Sequence, residues 1–426
     1  MSHPTSLAAW LAYLETLHPK AIALGLERVR AVYERLAIAP AVPVIAVGGT
    51  NGKGSTSALL ERMLSAGGYR TGLYTSPHLL RYNERVRIAG SDAGDDMLCA
   101  AFAAVEAVRR ETPLTYFEFG TLAALWLFAR AGLDALVLEV GLGGRLDAVN
   151  IVDADVAVVT TIAIDHTDYL GSTREDIGRE KAGIFRAGRV AVCADPDPPA
   201  ALIAHAHEIG AVLLRIGADF GFVAEEKQWR YVGPGGARHG LPYPALRGGY
   251  QLVNAAAALT ALDALRERLP VSMGAVREAL VGIELPGRFQ VLPGRPVTVL
   301  DVAHNAQAAR ALSDNLAAMG FHPQTLAVFG IMSDKQIDAV ITALKPRADR
   351  WLVATLPPPR GATSALLRAR LEEAGVAAGA VLTFDDPDAA YRAAREMATE
   401  ADRIAVFGSF LTVAAALSHE SRAGST

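Results

Sequence analysis

Residues 44–64 read VIAVGGTNGKGSTSALLERML: an apolar strand pattern, a glycine-rich turn carrying Lys53, hydroxyl side chains, and then helical periodicity. Glycines let backbone N–H groups turn toward an anion, and the N-terminus of a following helix adds partial positive charge, so this order of residues suits a phosphate. The turn predicts ATP contacts from Thr50, Asn51, Gly52, Lys53, Gly54 and Ser55, with Lys53 reaching the outer phosphates and Ser55 facing a metal ion. The usual phosphate-loop spacing is not met: its first glycine would fall on Val47, and Gly54 separates Lys53 from the hydroxyl. A turn that only tightens strand-to-helix packing is the plainer alternative, and the flanking strand and helix together favour nucleotide binding over it.

Outward from this loop, short β-branched runs alternate with longer helical patterns, which predicts βα units around a mostly parallel sheet. Strands are expected at 44–47, 135–140, 155–160 and 190–193, and amphipathic helices at 7–17 and 22–36 form a short preface to the first of them. Residues 218–247 hold Trp229, Tyr231 and Tyr243 among glycines and prolines, the pattern of a small β or irregular insertion to which no chemistry attaches. At 285–296, LPGRFQVLPGRP, prolines and glycines crowd together as in a hinge. Beyond it the alternation restarts, with strands at 297–301, 326–329, 351–354 and 404–407. The organisation expected is therefore a nucleotide-binding domain at 1–287, a linker at 288–296, and a smaller doubly wound domain at 297–426.

Composition bounds the function. The 426 residues, at roughly 150 per domain, predict two or three domains. With 20% charged and 51% hydrophobic residues the chain can bury packed cores, which excludes a disordered protein. Lys and Arg number 41 against 45 Asp and Glu, a net charge of −4, so there is no cationic excess for binding nucleic acid. Two cysteines, Cys99 and Cys193, are too few for a disulfide framework or a thiolate zinc site and fit a reducing cytoplasm. No uncharged apolar run reaches the roughly 18 residues of a membrane span, and the start lacks a basic region followed by an apolar stretch. No membrane association or export is expected.

The departure from the usual phosphate loop is informative, because GTNGKG resembles the loop of the Mur-ligase superfamily, ATP-dependent enzymes that join an amino acid to a carboxylate. Within it the sequence is most similar to the dihydrofolate synthase/folylpolyglutamate synthase family. The resemblance runs over nearly the whole chain, carried in order by ALGLERV, GTNGKGST, YTSPHLLRYNERVRI, LTYFEFGTLAAL, LEVGLGGRLDAVN, IAIDHTDYLG, REKAGIF, LPGRF and DVAHN. It implies a central Mur-ligase domain followed by a Rossmann-like glutamate-ligase domain. Cell-wall Mur ligases carry a sugar-nucleotide domain before the phosphate loop, whereas only the helical preface precedes Gly49 here, so that branch is the less favoured.

The resemblance also implies a site. Magnesium, as two ions, is expected on Ser76 in TSPHL, Glu139 at the end of the LVLEV strand and His166 in AIDHTD; read alone, Glu139 is an exposed strand-end charge and His166 a hydrogen-bonded structural residue. Lys181 in REKAGIF, by composition a surface lysine beside Glu180, is expected to be carbamylated and catalytic together with Lys53 and His304. ATP contacts are extended to Asn254, which otherwise reads as a helical N-terminal residue, and to Arg288 and Asp301. The pterin would lie on Ala23, Leu24 and Gly25, on Thr115, Tyr116, Phe117 and Glu118, and on Leu146, Asp147 and Ala148, with Phe117 as a stacking surface. The family commonly has Asp where this chain has Ala23. Glutamate would meet His304 and Ser409.

The expected activity is addition of L-glutamate to dihydropteroate and to tetrahydrofolates through an acyl phosphate, with Mg-ATP as co-substrate, by a monomer whose hinge closes Arg288 and Asp301 toward the phosphate loop. A folylpolyglutamate synthase alone, a cell-wall ligase, and an ATP-hydrolysing switch protein are the alternatives.

Overall fold

A computed structural model describes residues 4–20 and 22–423. The chain divides into two compact units, one of residues 1–245 and 251–283, the other of 246–250 and 284–426.

In the first unit an eight-stranded sheet is built from β1 (Val44–Gly48), β2 (Thr71–Tyr74), β3 (Val86–Ile88), β4 (Ser91–Asp92), β5 (Ala135–Glu139), β6 (Val156–Val159), β7 (Val190–Cys193) and β8 (Val212–Arg215). Their spatial order is β4-β3-β2-β5-β1-β6-β7-β8. All pairings are parallel except the β2–β3–β4 edge. Strands β1, β5 and β6 are buried at every position, the continuous apolar character of a parallel sheet covered on both faces. β1 lies between β5 and β6, so the loop after it opens at the centre of the C-terminal rim, where open α/β sheets bind ligands.

The preface is shorter than expected. Helix Leu7–Thr16 matches, but the second helix runs only over Glu27–Leu36. Residues 22–25 stay outside the helix, where Gly25 takes φ +141° and the Ala23 carbonyl is held by Arg28 instead of a helical N–H. The 218–247 segment is a three-stranded antiparallel sheet, β9 (Gly221–Ala224), β10 (Trp229–Gly233) and β11 (Gly236–Leu241). Its Trp229 and Tyr231 are fully buried, and the Tyr231 hydroxyl donates to Asp263 Oδ2 at 2.9 Å on helix Tyr250–Ala264.

The second unit holds β12 (Gln290–Leu292), β13 (Val297–Asp301), β14 (Thr325–Phe329), β15 (Arg350–Ala354), β16 (Val381–Phe384) and β17 (Arg403–Phe407), in the order β12-β13-β17-β14-β15-β16. The stretch 288–296, expected as linker, contributes β12, paired antiparallel to β13 through Gln290↔Leu300 and Leu292↔Thr298. Its prolines, Pro293 and Pro296, follow the strand and do not interrupt it, as an edge strand allows. Phe329, Trp351 and Phe407 pack as an aromatic core at its centre.

Candidate active site

The phosphate loop is held from both sides. Thr50 N donates to Thr161 O at 2.6 Å, the Thr50 hydroxyl exchanges hydrogen bonds with Ala163, and the Thr160 hydroxyl donates to Asn51 O at 2.7 Å. Gly49 and Gly52 take φ +138° and +94°, left-handed conformations that side chains resist. Lys53 opens helix Lys53–Ala66, which also carries Gly54 and the buried Ser55, and its Nζ donates to Gly49 O and Thr50 O, both at 3.1 Å.

Lys181 is where sequence reading by composition misplaces a residue. It is 3% exposed, and its Nζ donates to Gly49 O at 2.9 Å. Glu180, the expected neutralising neighbour, pairs with Arg145 at 2.7 Å. Burial, reinforced by the charge of Lys53, pulls the Lys181 amine down to about 7. Asp147 is buried as well and is pushed up to about 6, although Leu142 N and Val149 N donate to it.

The three residues expected on a metal all follow C-terminal strand ends at this rim. Glu139 closes β5 in register with Val47 and is 4% exposed; Ser76 follows β2, and His166 follows β6 at φ +53°. A buried carboxylate beside the phosphate loop, with a hydroxyl and an imidazole on neighbouring loops, fits a hard cation that keeps much of its water. Among the described residues no three His, Cys, Asp or Glu side chains form a cluster of their own, so a site here needs hydroxyl and water ligands too.

Asn254 also needs correcting. It lies in the interior of helix Tyr250–Ala264, not at its start, so helix capping does not explain it. Its amide donates to Gln251 Oε1 at 2.9 Å and sits so close to Gly52 that a Cβ there would lie 2.5 Å from Asn254 Oδ1. Gln251, which the sequence did not single out, donates to Ser55 Oγ at 3.4 Å.

The three segments expected on the pterin come together. Gly25 N donates to Leu146 O at 3.2 Å, and a Cβ on Gly141 would lie 2.5 Å from the Phe117 ring, so 23–25, 115–118 and 141–148 adjoin, with Leu24 inside the first and Ala148 closing the last. The half-buried Phe117 ring also packs on Tyr74 at 5.9 Å between centroids. Thr115 and Glu118 form a capping box at the start of helix Tyr116–Phe128. Glu118 is further engaged by Arg28 at 2.9 Å, and the same guanidinium donates to Ala23 O at 2.7 Å. Those two side chains therefore serve the framework, while Arg28, missed in the sequence, ties two segments together.

In the second unit, Asp301 ends β13 in register with Phe407 of β17, which brings DVAHN beside FGSF. Asp301 accepts from Phe289 N at 2.9 Å and Ala303 N at 2.8 Å; burial pushes it up to about 6 against the opposing charge of Arg288. Arg288 lies over the Phe410 ring at 5.2 Å, His304 Nδ1 is 2.8 Å from Val302 O, and Ser409 Oγ accepts from Leu411 N at 3.2 Å.

Two family models match the chain: the Mur ligase middle domain over residues 47–262 and the Mur ligase, glutamate ligase domain over 287–410. A dihydrofolate synthase/folylpolyglutamate synthase of Escherichia coli (strain K12) is 47% identical over 410 residues, covering 96% of this chain and 94% of its own. The structure of E. coli FolC in complex with DHPP and ADP matches with a TM-score of 0.93 at 45% identity over 99% of each chain. A bifunctional folylpolyglutamate synthase/dihydrofolate synthase with Mn, AMPPNP and L-glutamate bound matches at 0.90 and 46% identity over 98% of each chain.

Proposed function

The chain belongs to the dihydrofolate synthase/folylpolyglutamate synthase family of Mur ligases, and from that premise we propose that it joins L-glutamate to dihydropteroate and to the γ-carboxyl of tetrahydrofolates at the expense of ATP. The observation that carries the chemistry is the convergence on the Gly49–Lys53 loop of Lys53, Lys181 and Asn254, with Glu139 in register beside the strand that leads into it.

A carboxylate does not react with an amine at neutral pH. The acceptor carboxylate attacks the γ-phosphorus of ATP, ADP leaves, and an acyl phosphate forms; the amine of glutamate then attacks the acyl carbon, phosphate leaves with the bonding pair, and a proton is released. The first unit supplies the electrostatics. Backbone N–H groups of 52–55 cradle phosphate oxygens, and the Lys53 ammonium stabilises the charge that moves onto the leaving group. Asn254 is assigned to the nucleotide. Mg2+, at two positions, would be held by Ser76, Glu139 and His166 and would supply further charge neutralisation at the phosphates. Lys181, largely able to lose its proton near neutrality, is assigned as a carbamate: its neutral amine attacks CO2, a C–N bond forms and a proton leaves, converting a buried cation into an anion. In the second unit Arg288 and Asp301 are assigned to the nucleotide, and His304 and Ser409 to glutamate. We place the enzyme in the cytoplasm as a monomer, in keeping with its two free thiols.

The test is ADP release with Mg-ATP and L-glutamate, using dihydropteroate or tetrahydrofolate as acceptor and identifying products by mass. Glutamate-dependent turnover on both is expected. Turnover on tetrahydrofolate alone would reduce the assignment to a folylpolyglutamate synthase, and silence on both would remove it.

A further inference from the structure

The loop between β2 and β3 is shaped without help from the Arg85 side chain. The Glu84 carboxylate accepts from the N–H groups of Leu79, Leu80 and Arg81 at 2.6–2.7 Å, and Asn83 Nδ2 donates to Ala93 O at 2.7 Å. Arg85 takes part in that frame only through its backbone, its carbonyl accepting from Thr75 N at 3.0 Å. Its half-buried guanidinium lies 5.3 Å from the Tyr82 ring centroid and 5.4 Å from that of Tyr116, and its Nε donates to His78 Nδ1 at 2.8 Å. No carboxylate pairs with it, and its two terminal nitrogens make no hydrogen bond among the described residues.

A guanidinium partly withdrawn from water on two aromatic faces keeps a fork of N–H donors whose planar geometry matches a carboxylate. An unpaired cation in such a place costs stability, and the surroundings specify what relieves the cost. On one side Tyr116 precedes Phe117 in the aromatic wall of the segments assigned to the pterin; on the other, His78, which accepts from its Nε, lies in the same TSPHL segment as Ser76, assigned to the metal. The group of the acceptor that must span from the pterin to the phosphates is its carboxylate. We propose that Arg85 binds the reacting carboxylate of the acyl acceptor, holding it in line for attack on phosphorus.

This proposal rests on the ligase assignment, and the test separates the two. Binding of dihydropteroate is compared with that of its analogue bearing hydrogen in place of the benzoate carboxyl, on the wild-type chain, Arg85→Ala and Arg85→Lys, each checked for an unchanged melting transition. Charge-assisted bidentate contacts predict that Arg85→Ala weakens dihydropteroate by about 10- to 100-fold and leaves the carboxyl-free analogue unaffected. Arg85→Lys should recover part of the loss, having the charge without the fork. Equal affinity of Arg85→Ala and wild type for dihydropteroate, or a parallel loss of both ligands, would overturn the proposal alone. A wild-type chain that binds neither ligand would overturn it together with the ligase assignment.

Discussion

Lys53 and Lys181, from different helices, donate to one acceptor, the carbonyl oxygen of Gly49, at 3.1 and 2.9 Å. Burial first, and then the charge of Lys53 on the same oxygen, pulls Lys181 from 10.5 down to about 7. The phosphate loop thus has against it, in Lys181, an amine that can change state.

Below about pH 7 Lys181 is charged in both folded and unfolded chains, and its burial costs stability in full. Between about 7 and 10.5 the folded protein has lost a proton that the unfolded chain retains, so stability from this group rises with pH, until above 10.5 the cost is gone. In bicarbonate-free buffer, denaturant titrations should show that rise in the wild type and lack it in Lys181→Ala. With bicarbonate, intact mass should increase by one CO2 at pH 8 but little at pH 6; an unmodified chain at both would sink the carbamate.

Lys53→Ala should lower turnover by at least about 100-fold, the scale of losing one group that stabilises transition-state charge. The melting transition should hold, since the contacts to Gly49 O and Thr50 O are made within the loop itself. Full ADP release in this variant would remove the phosphate-loop assignment.

Gly52→Ala tests the contact between loop and helix. A Cβ would lie 2.5 Å from Asn254 Oδ1 on a backbone at φ +94°, so ATP binding should weaken severely. Adding Asn254→Ala removes the clash but leaves the strain of about 1 kcal/mol for a side chain in that conformation and deletes a side chain assigned to the nucleotide, so the affinity should not return. Unchanged nucleotide affinity in Gly52→Ala would show that the loop does not hold phosphate.

Arg28→Ala should raise KM for dihydropteroate about 10-fold with little change in KM for ATP, because one guanidinium binds both Ala23 O and Glu118. Equal changes in the two KM values would mean that Arg28 supports the unit as a whole.

Tyr231→Phe removes a hydroxyl placed 2.9 Å from Asp263 Oδ2 and 3.0 Å from Thr260 Oγ1 in the buried seam beneath β9–β11. Unfolding should cost about 1–2 kcal/mol less, while turnover stays within error. A loss of turnover at unchanged stability would give the small sheet a direct part in catalysis.

Where a signal is local, the sequence carried it. The run into β1, the turn and the following helix are adjacent in the chain, and β7 and β13 fall on the expected residues. Four-residue β2, with Gly72 inside it, offers too short a pattern to recognise, and β12 hides among prolines that an edge strand tolerates. Arg28 and Glu118 are 90 positions apart, and Gln251 and Ser55 are 196 apart, so no spacing rule joins them.

By itself the sequence determined the alternation that builds two α/β sheets and the residue types at the phosphate loop, because periodicity and turn chemistry are properties of neighbouring residues. Only the tertiary structure decided which charges lose their water. Lys181 and Arg85 are alike in sequence to any surface cation; packing places one against the Gly49 carbonyl and the other between two tyrosine rings. The energy of a charge depends on the solvent and dipoles around it, and those are set by the fold.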